Sequence, residues 1–327
     1  MFATELKRSV LLPGPWSQDT VSDVAAATLL RGFEVRTGEV AGIRTRWYVA
    51  GDGEPLLLVH GLGGAAVNFS EVGPLLAERR RLLIPDLPGH GGTAPLPKPR
   101  GLADYASHAA AVAEAEGLLP APVLGYSMGG VVALRLAVMR PHDVTALVLM
   151  STAGIVSTTR RAEIWFALTG LIRPARLMCR FRGVFARASV LRHLPFGVWG
   201  AVDPPSLSAE AVHGFLAPPR EHTDVTSAAD ALLRDDPRPD LDGVRCPVLL
   251  VWGARDRLVP LEDGFEYARR LRAPIRVVPG AGHLVIGEAA DTCADIVGSF
   301  LDRVGEVDEL PLEAEVLRQV RGERANA

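Results

Sequence analysis

Cysteine is scarce. Cys179, Cys246 and Cys293 are the 3 cysteines of a 327-residue chain; they lie far apart and form no C-x-x-C pair. That pattern argues against a disulfide framework and against a thiolate metal site, and it fits a reducing cytoplasm. A strong excess of either charge is missing too. With 35 Lys and Arg against 38 Asp and Glu, the formal net charge is -3, so neither a nucleic-acid footprint nor an acidic tail is expected. Long apolar runs are also absent: Arg, Gly or Pro interrupts each one well before the ~18 residues that a spanning helix needs. The stretch from Met1 to Arg8 carries Glu5 and opens no sustained apolar segment before Pro13, so no secretory signal is expected. No internal repeat is visible. What remains is a globular composition, 48% hydrophobic and 22% charged, long enough to bury a large core.

The apolar pattern divides the chain into five parts. Residues 1–31 read as a mixed leader, with a helical turn or two from Asp23 to Leu30. Residues 32–153 open with Phe33 to Thr37 and Ile43 to Val49, which alternate about Gly42 as an antiparallel pair with one wet face would. From Leu56 the strands become short and continuously apolar: Leu56 to Val59, Leu82 to Ile84, Val123-Leu124 after a proline-bearing turn, and Val144 to Met150. Such runs suit a parallel sheet buried on both faces, and the helical stretches between them, such as Ala103 to Gly117, complete an α/β rhythm. Residues 154–240 break that rhythm with helical patches and prolines, as an inserted helical lid would. Residues 241–305 restore it with the strands Val248 to Trp252 and Ile275 to Val278, and with helices at Leu261 to Leu271 and Thr292 to Val304. Residues 306–327 form a charged tail, best read as a solubilising segment.

Chemistry concentrates at Gly125-Tyr126-Ser127-Met128-Gly129-Gly130. Chance supplies a G-x-S-x-G on the order of 0.1 times in such a chain, so context has to decide. Here a strand precedes the motif and a buried helix follows, the setting of a nucleophile elbow, in which glycines allow a tight turn that lifts the hydroxyl above the sheet. A serine hydroxyl needs a base, and the base needs an orienting acid. His283 lies in a glycine-rich loop after the last strand, and Asp256 in the loop after the preceding one, where a parallel sheet collects its functional loops. The chain order Ser127, Asp256, His283 is that expected of a triad at such an elbow. Donors for an oxyanion are expected from the backbone N–H of Met128, at the helix start, and of Leu62, in His60-Gly61-Leu62-Gly63-Gly64. Gly61, Gly125 and Gly129 are the turn glycines. His60 and His90, each inside a glycine turn, read as loop-shaping, and Asp86 as loop-fixing. His108, His142, His193, His213 and His222 read as exposed or structural.

These segments together with Asp86-Leu87-Pro88-Gly89-His90-Gly91 and Gly253-Ala254-Arg255-Asp256 resemble the α/β-hydrolase superfamily, in its lidded esterase and meta-cleavage-hydrolase branch, over residues 33 to 304 outside the lid. The resemblance implies a mostly parallel eight-stranded sheet with helices on both faces and a helical lid inserted after the sixth strand. It also implies a serine hydrolase that cleaves carboxylic esters of short to medium acyl chain through an acyl-enzyme. Relatives that dehalogenate or open epoxides carry Asp at the elbow, and the Ser here argues against both. The alternatives are a C–C bond (meta-cleavage product), thioester or lactone hydrolase, and, from another class, a non-catalytic small-ligand receptor. No cofactor and no metal are implied: the Gly61–Gly64 turn lacks G-x-G-x-x-G spacing and a Walker lysine. The lid matches no familiar pattern. Between residues 160 and 192 eight arginines face a single acid, Glu163, among apolar residues from Trp165 to Leu191. Such a stripe is expected to be one packed and one wet face, with an acyl-chain groove or a weak membrane-surface contact as the other reading. The expected partner is a small-molecule ester-like substrate, with no nucleic acid.

Overall fold

A computed structural model describes residues 29–99, 101–155, 177–197, 200–217 and 221–304. Residues 1–28, 100, 156–176, 198–199, 218–220 and 305–327 lie outside the described residues, and with them the expectations for most of the helical turn from Asp23 and for the arginines 160, 161, 173 and 176.

Eight strands form one sheet: β1 (Glu34–Val40), β2 (Ile43–Ala50), β3 (Glu54–Val59), β4 (Arg80–Pro85), β5 (Ala121–Tyr126), β6 (Val144–Met150), β7 (Val248–Gly253) and β8 (Ile275–Val278). Their spatial order is β1-β2-β4-β3-β5-β6-β7-β8. The β1–β2 and β2–β4 pairs are antiparallel and every other pair is parallel. Strand alternation sends Leu57 and Val59 to one face and Leu56 and Leu58 to the other, and all four are fully buried. Apolar residues on successive positions therefore need cover on both sides. Helices α1 (Val72–Ala77), α2 (Leu102–Ala115) and α3 (Met128–Met139) supply it in the first half of the chain. The segment between β6 and β7 contributes α4 (Arg182–Arg187), α5 (His193–Phe196), α6 (Ala209–Leu216) and α7 (Val225–Arg234), and the second half adds α8 (Leu261–Leu271), α9 (Val285–Glu288) and α10 (Ala290–Arg303). Tyr105 of α2, Val131 of α3 and Tyr267 of α8 pack on one face, and Val72 of α1 with Val297 of α10 on the other.

The β1–β2 hairpin turns through Ala41 and Gly42, both at positive φ (49° and 75°), the two-residue turn whose twist suits an antiparallel pair. Its second strand departs from expectation. β2 pairs on both sides, and of its eight residues only Arg44 is exposed. The polar Arg46 expected on a wet face is instead buried (4% exposed), because its guanidinium meets Asp86 at 2.7 Å and Glu221 at 2.5 Å.

Between β6 and β7, Phe185, Phe196, Leu207 and Val212 form a small core of their own. Polar caps start two of its helices: Ser208 accepts from the Ala211 N–H at 2.9 Å, and Asp224 from the Ser227 N–H at 3.1 Å. The expected outward arginines and inward apolar residues are partly exchanged here. Arg192 is buried, donating to the carbonyls of Phe185, Ala186, Pro205 and Leu207, whereas Val190 (74% exposed), Leu177 (56%) and Leu194 (60%) face out. The 3-10 turn Ser189–Arg192 ends by turning Arg192 inward, where one guanidinium satisfies carbonyls that this broken helical path leaves without partners. No helix among the described residues is long and apolar enough to cross a membrane.

Candidate active site

Ser127 stands between β5 and α3 with φ 55° and ψ -121°, a conformation that favours glycine. It is held there by its backbone, the N–H donating to Met150 O (2.9 Å) and the carbonyl accepting from Gly130 (3.0 Å) and Ala153 (3.2 Å). The flanking glycines are steric requirements. A Cβ on Gly125 would fall 2.3 Å from Gly129 O, and one on Gly129 would fall 2.1 Å from Val59 O. Gly61 crosses close above the serine, where an added Cβ would sit 3.0 Å from that of Ser127.

Loops from three strand ends converge on the serine hydroxyl. His283 Nε2 is 3.1 Å from Ser127 Oγ, and its Nδ1 is 2.9 Å from Asp256 Oδ2. Asp256 accepts a proton-bearing partner, so Nδ1 carries the ring hydrogen and Nε2 presents a lone pair to the hydroxyl. The other carboxylate oxygen accepts from the N–H groups of Leu258 (2.9 Å) and Val259 (2.8 Å), which anchors the acid from its own loop. Asp256 and His283 are buried, at 7% and 4% exposure, and Ser127 is partly open. The arrangement can pass a proton from the hydroxyl to the imidazole while the carboxylate fixes the tautomer. Met128 opens α3 directly after the serine, at a helix end whose first N–H groups have no intrahelical acceptor.

A second group of polar contacts holds the loop that carries Leu62. Leu87 N–H donates to His60 Nε2 (2.9 Å), so His60 donates from Nδ1 to Gly61 O (2.8 Å). Gly91 N–H donates to His222 Nδ1 (3.2 Å), so His222 donates from Nε2 to Gly63 O (2.8 Å). Gly64 N–H donates to Gly61 O (3.1 Å). Asp86, expected to fix a loop, does so at several points: it accepts from Ala66 N–H (2.8 Å), Gly92 N–H (2.9 Å) and Arg46. His90 lies between the rings of His60 and His222, at 5.2 and 5.3 Å between centroids. Burial and these two neighbours hold the His90 imidazole well below its ordinary pKa, and burial lowers that of His60.

Two contributors carried no motif in the sequence. His222, expected to be exposed or structural, has a structural part, reaching the Leu62 loop from 159 residues away. Glu288 accepts from Gly282 N–H (2.9 Å) and Val202 N–H (2.6 Å), so it ties the His283 loop to the segment between β6 and β7. Burial raises its pKa above the ordinary carboxylate range. A cavity of about 200 Å³ lies beside this tie, between Ala201, Val202, Pro204 and the arginines 255 and 257. Ser127, Asp256 and His283 are not among its walls.

The sequence profile of the Alpha/beta hydrolase family matches residues 56–296. A 2-hydroxymuconate semialdehyde hydrolase of Pseudomonas sp. (strain CF600) is 31% identical over 268 residues, 80% of this chain and 91% of that protein. A pimeloyl-[acyl-carrier protein] methyl ester esterase of Neisseria meningitidis is 31% identical over 252 residues, 75% of this chain and 92% of its own. Among solved structures, a membrane phospholipase A superposes with a TM-score of 0.70 at 23% identity, covering 94% of this chain and 97% of that one.

Proposed function

The chain belongs to the Alpha/beta hydrolase family, and from that premise we propose that it is a serine hydrolase cleaving carboxylic esters of short to medium acyl chain through an acyl-enzyme. One observation carries the reading: a serine hydroxyl in a strained elbow, 3.1 Å from an imidazole that a buried carboxylate orients at 2.9 Å. Ser127 attacks the ester carbonyl, His283 Nε2 takes the hydroxyl proton and returns it to the leaving alcohol, and Asp256 stabilises the imidazolium. The N–H groups of Leu62 and Met128 receive the oxyanion, and water, activated by the same imidazole, releases the acid. The methyl ester esterase of Neisseria meningitidis supports the ester substrate. The 2-hydroxymuconate semialdehyde hydrolase supports a second reading, a meta-cleavage C–C bond hydrolase using the same three residues.

The segment between β6 and β7 is in this reading a lid. It bears on the site through Gly200, Val202 and His222, and its outer face is the proposed membrane contact. A reducing cytoplasm is the proposed setting, supported by three free cysteines, with burial pushing the Cys246 thiol up to about 11 and Cys293 up to about 12. Fluorophosphonate labelling followed by a panel of nitrophenyl esters tests the function. Labelling and turnover that both vanish in Ser127→Ala support it. Unchanged turnover in that variant overturns it, and labelling with less than about one turnover per minute favours the small-ligand receptor.

A further inference from the structure

We propose that His222 is a positioning residue for the oxyanion loop, acting through two peptide planes on the N–H of Leu62. The inference rests on the serine-hydrolase reading above. Its path is continuous. His222 Nε2 donates to Gly63 O at 2.8 Å, which orients the Gly63–Gly64 peptide. The N–H of that same peptide, on Gly64, donates to Gly61 O at 3.1 Å. Gly61 O belongs in turn to the peptide whose N–H is that of Leu62. A planar peptide points its N–H opposite to its carbonyl, so fixing the two carbonyls fixes the direction of the donor.

The loop needs such a hold. Gly63 sits at φ +67° and a Cβ there would meet nothing within 4 Å, so no side chain packs at this glycine to fix its backbone, and the peptide that follows is held by hydrogen bonds. The other contacts of the loop come from the core: His60 holds Gly61 O, Asn68 Oδ1 accepts from Ala65 N–H at 3.1 Å, and Asp86 accepts from Ala66 N–H. His222 arrives from the segment between β6 and β7, from which the Gly214 carbonyl also accepts a hydrogen bond from Asn68 at 2.9 Å, and that segment is docked on either side of His222. Glu221 is paired with Arg46, and the N–H groups of Thr223 and Asp224 donate to Gly89 O at 3.0 and 3.1 Å. The state of the docked segment is thereby transmitted to the group that receives charge in the transition state. Where a donor is present but misdirected, the loss falls on kcat and on tetrahedral adducts rather than on ground-state binding.

The experiment compares wild type, His222→Phe, His222→Gln and Ser127→Ala in the full chain. The Phe variant keeps a ring against His90 but loses both hydrogen bonds. The Gln variant restores a donor toward Gly63. The readouts are the rate of Ser127 phosphonylation by a fluorophosphonate, the inhibition constant of a phenylboronic acid, kcat and KM on a nitrophenyl ester, and thermal stability. His222→Phe is expected to slow phosphonylation and kcat and to weaken the boronate by about 10-fold, less than the ~10²–10³ of losing a donor outright, with KM within about twofold. His222→Gln is expected to recover most of that loss. A folded His222→Phe that matches wild type in phosphonylation and boronate affinity, with stability alone reduced, overturns the proposal and leaves the serine-hydrolase reading standing. A Gln variant as slow as Phe also overturns it. If the Phe variant does not fold, His222→Asn, long enough for Gly91 but too short for Gly63, takes its place with the same criteria. A wild-type protein that does not label overturns the serine-hydrolase reading, and this inference with it.

Discussion

The backbone N–H of His283 donates to the carbonyl of Gly200 at 2.7 Å. The proposed base is thus held by a residue of the segment between β6 and β7 as well as by the strand that leads to it. Gly282 makes the approach close: a Cβ there would stand 2.0 Å from Gly200 O.

Glu288 reinforces that junction and can be tested. Replacing it with Ala leaves the N–H groups of Gly282, Val202 and Asp203 without this acceptor. Glu288→Ala is expected to cost about 2–4 kcal/mol in denaturant unfolding and to lower kcat several-fold, because the His283 loop loses its brace. Glu288→Gln, with one oxygen left to accept, is expected to fall between Ala and wild type. Equal stability of all three proteins would show that the bridge contributes nothing.

The elbow stores strain that a smaller residue releases. Ser127→Ala keeps a Cβ at φ 55°, whereas Ser127→Gly does not. Both variants are expected to lose turnover. The Gly variant should be the more stable of the two by about 1 kcal/mol, the strain relieved exceeding the extra freedom that glycine gives the unfolded chain. Chemical denaturation of the two inactive proteins measures the difference directly.

Stability should fall on mild acidification. His60, His90 and His108 all have folded pKa values lowered by burial, to about 4 for His108. His108 donates from Nε2 to Thr45 Oγ1, itself a donor to Ile43 O, and buries Nδ1 without a partner. Above pH 6.5 both states are neutral and nothing is lost. Below it the unfolded chain takes up protons that the native state refuses, so each group removes up to about 1.4 kcal/mol per pH unit until its folded pKa is reached. Glu288, with its pKa raised, runs the opposite way, since its burial costs stability only where the unfolded chain ionises it. The melting temperature is expected to be lower at pH 5 than at pH 7.5, with a shallower slope in His108→Gln. A flat profile in wild type would contradict the buried neutral histidines.

The outer face of the segment from Leu177 to Leu194 carries the membrane proposal. Leu177, Val190, Leu191 and Leu194 are exposed, next to Arg180 and Arg187. Binding to vesicles with anionic lipid should exceed binding to neutral ones, and should weaken as salt shortens the screening length from ~10 Å at 0.1 M. Val190→Glu with Leu194→Glu should abolish it while turnover of a soluble ester stays unchanged. Salt-insensitive or absent binding in wild type returns this face to ordinary solvation.

The sheet was legible in the sequence because each parallel strand is a short apolar run closed by turn residues, and such runs are buried on both faces regardless of what surrounds them. Ser127, Asp256 and His283 were legible because local glycine chemistry marks their loops, and the structure brings the three side chains together. Arg46, Arg192, His222 and Glu288 were not. Each is a polar residue in an unremarkable stretch whose partner lies on another element, so its placement depends on tertiary pairing that no local period records. Phe33, expected to start β1, lies just before it and is buried in the same cluster as Leu30 and Val72.

The ion cluster of Arg46 with Asp86 and Glu221 bears on how this scaffold can be re-engineered. Arg46 and Asp86 come from the core sheet and Glu221 from the inserted segment, and all three side chains are at most 8% exposed. A chimera that grafts a relative's insertion onto this core inherits a buried arginine short of one carboxylate, unless the graft brings an acid to that position. Arg46 keeps its pair with Asp86 in such a chimera, so the loss is that of one charge-assisted hydrogen bond, about 1.5–3 kcal/mol, still a sizeable part of the stability of an ordinary domain. Swapping the segment between β6 and β7 as a cassette therefore calls for position 221 to be matched first.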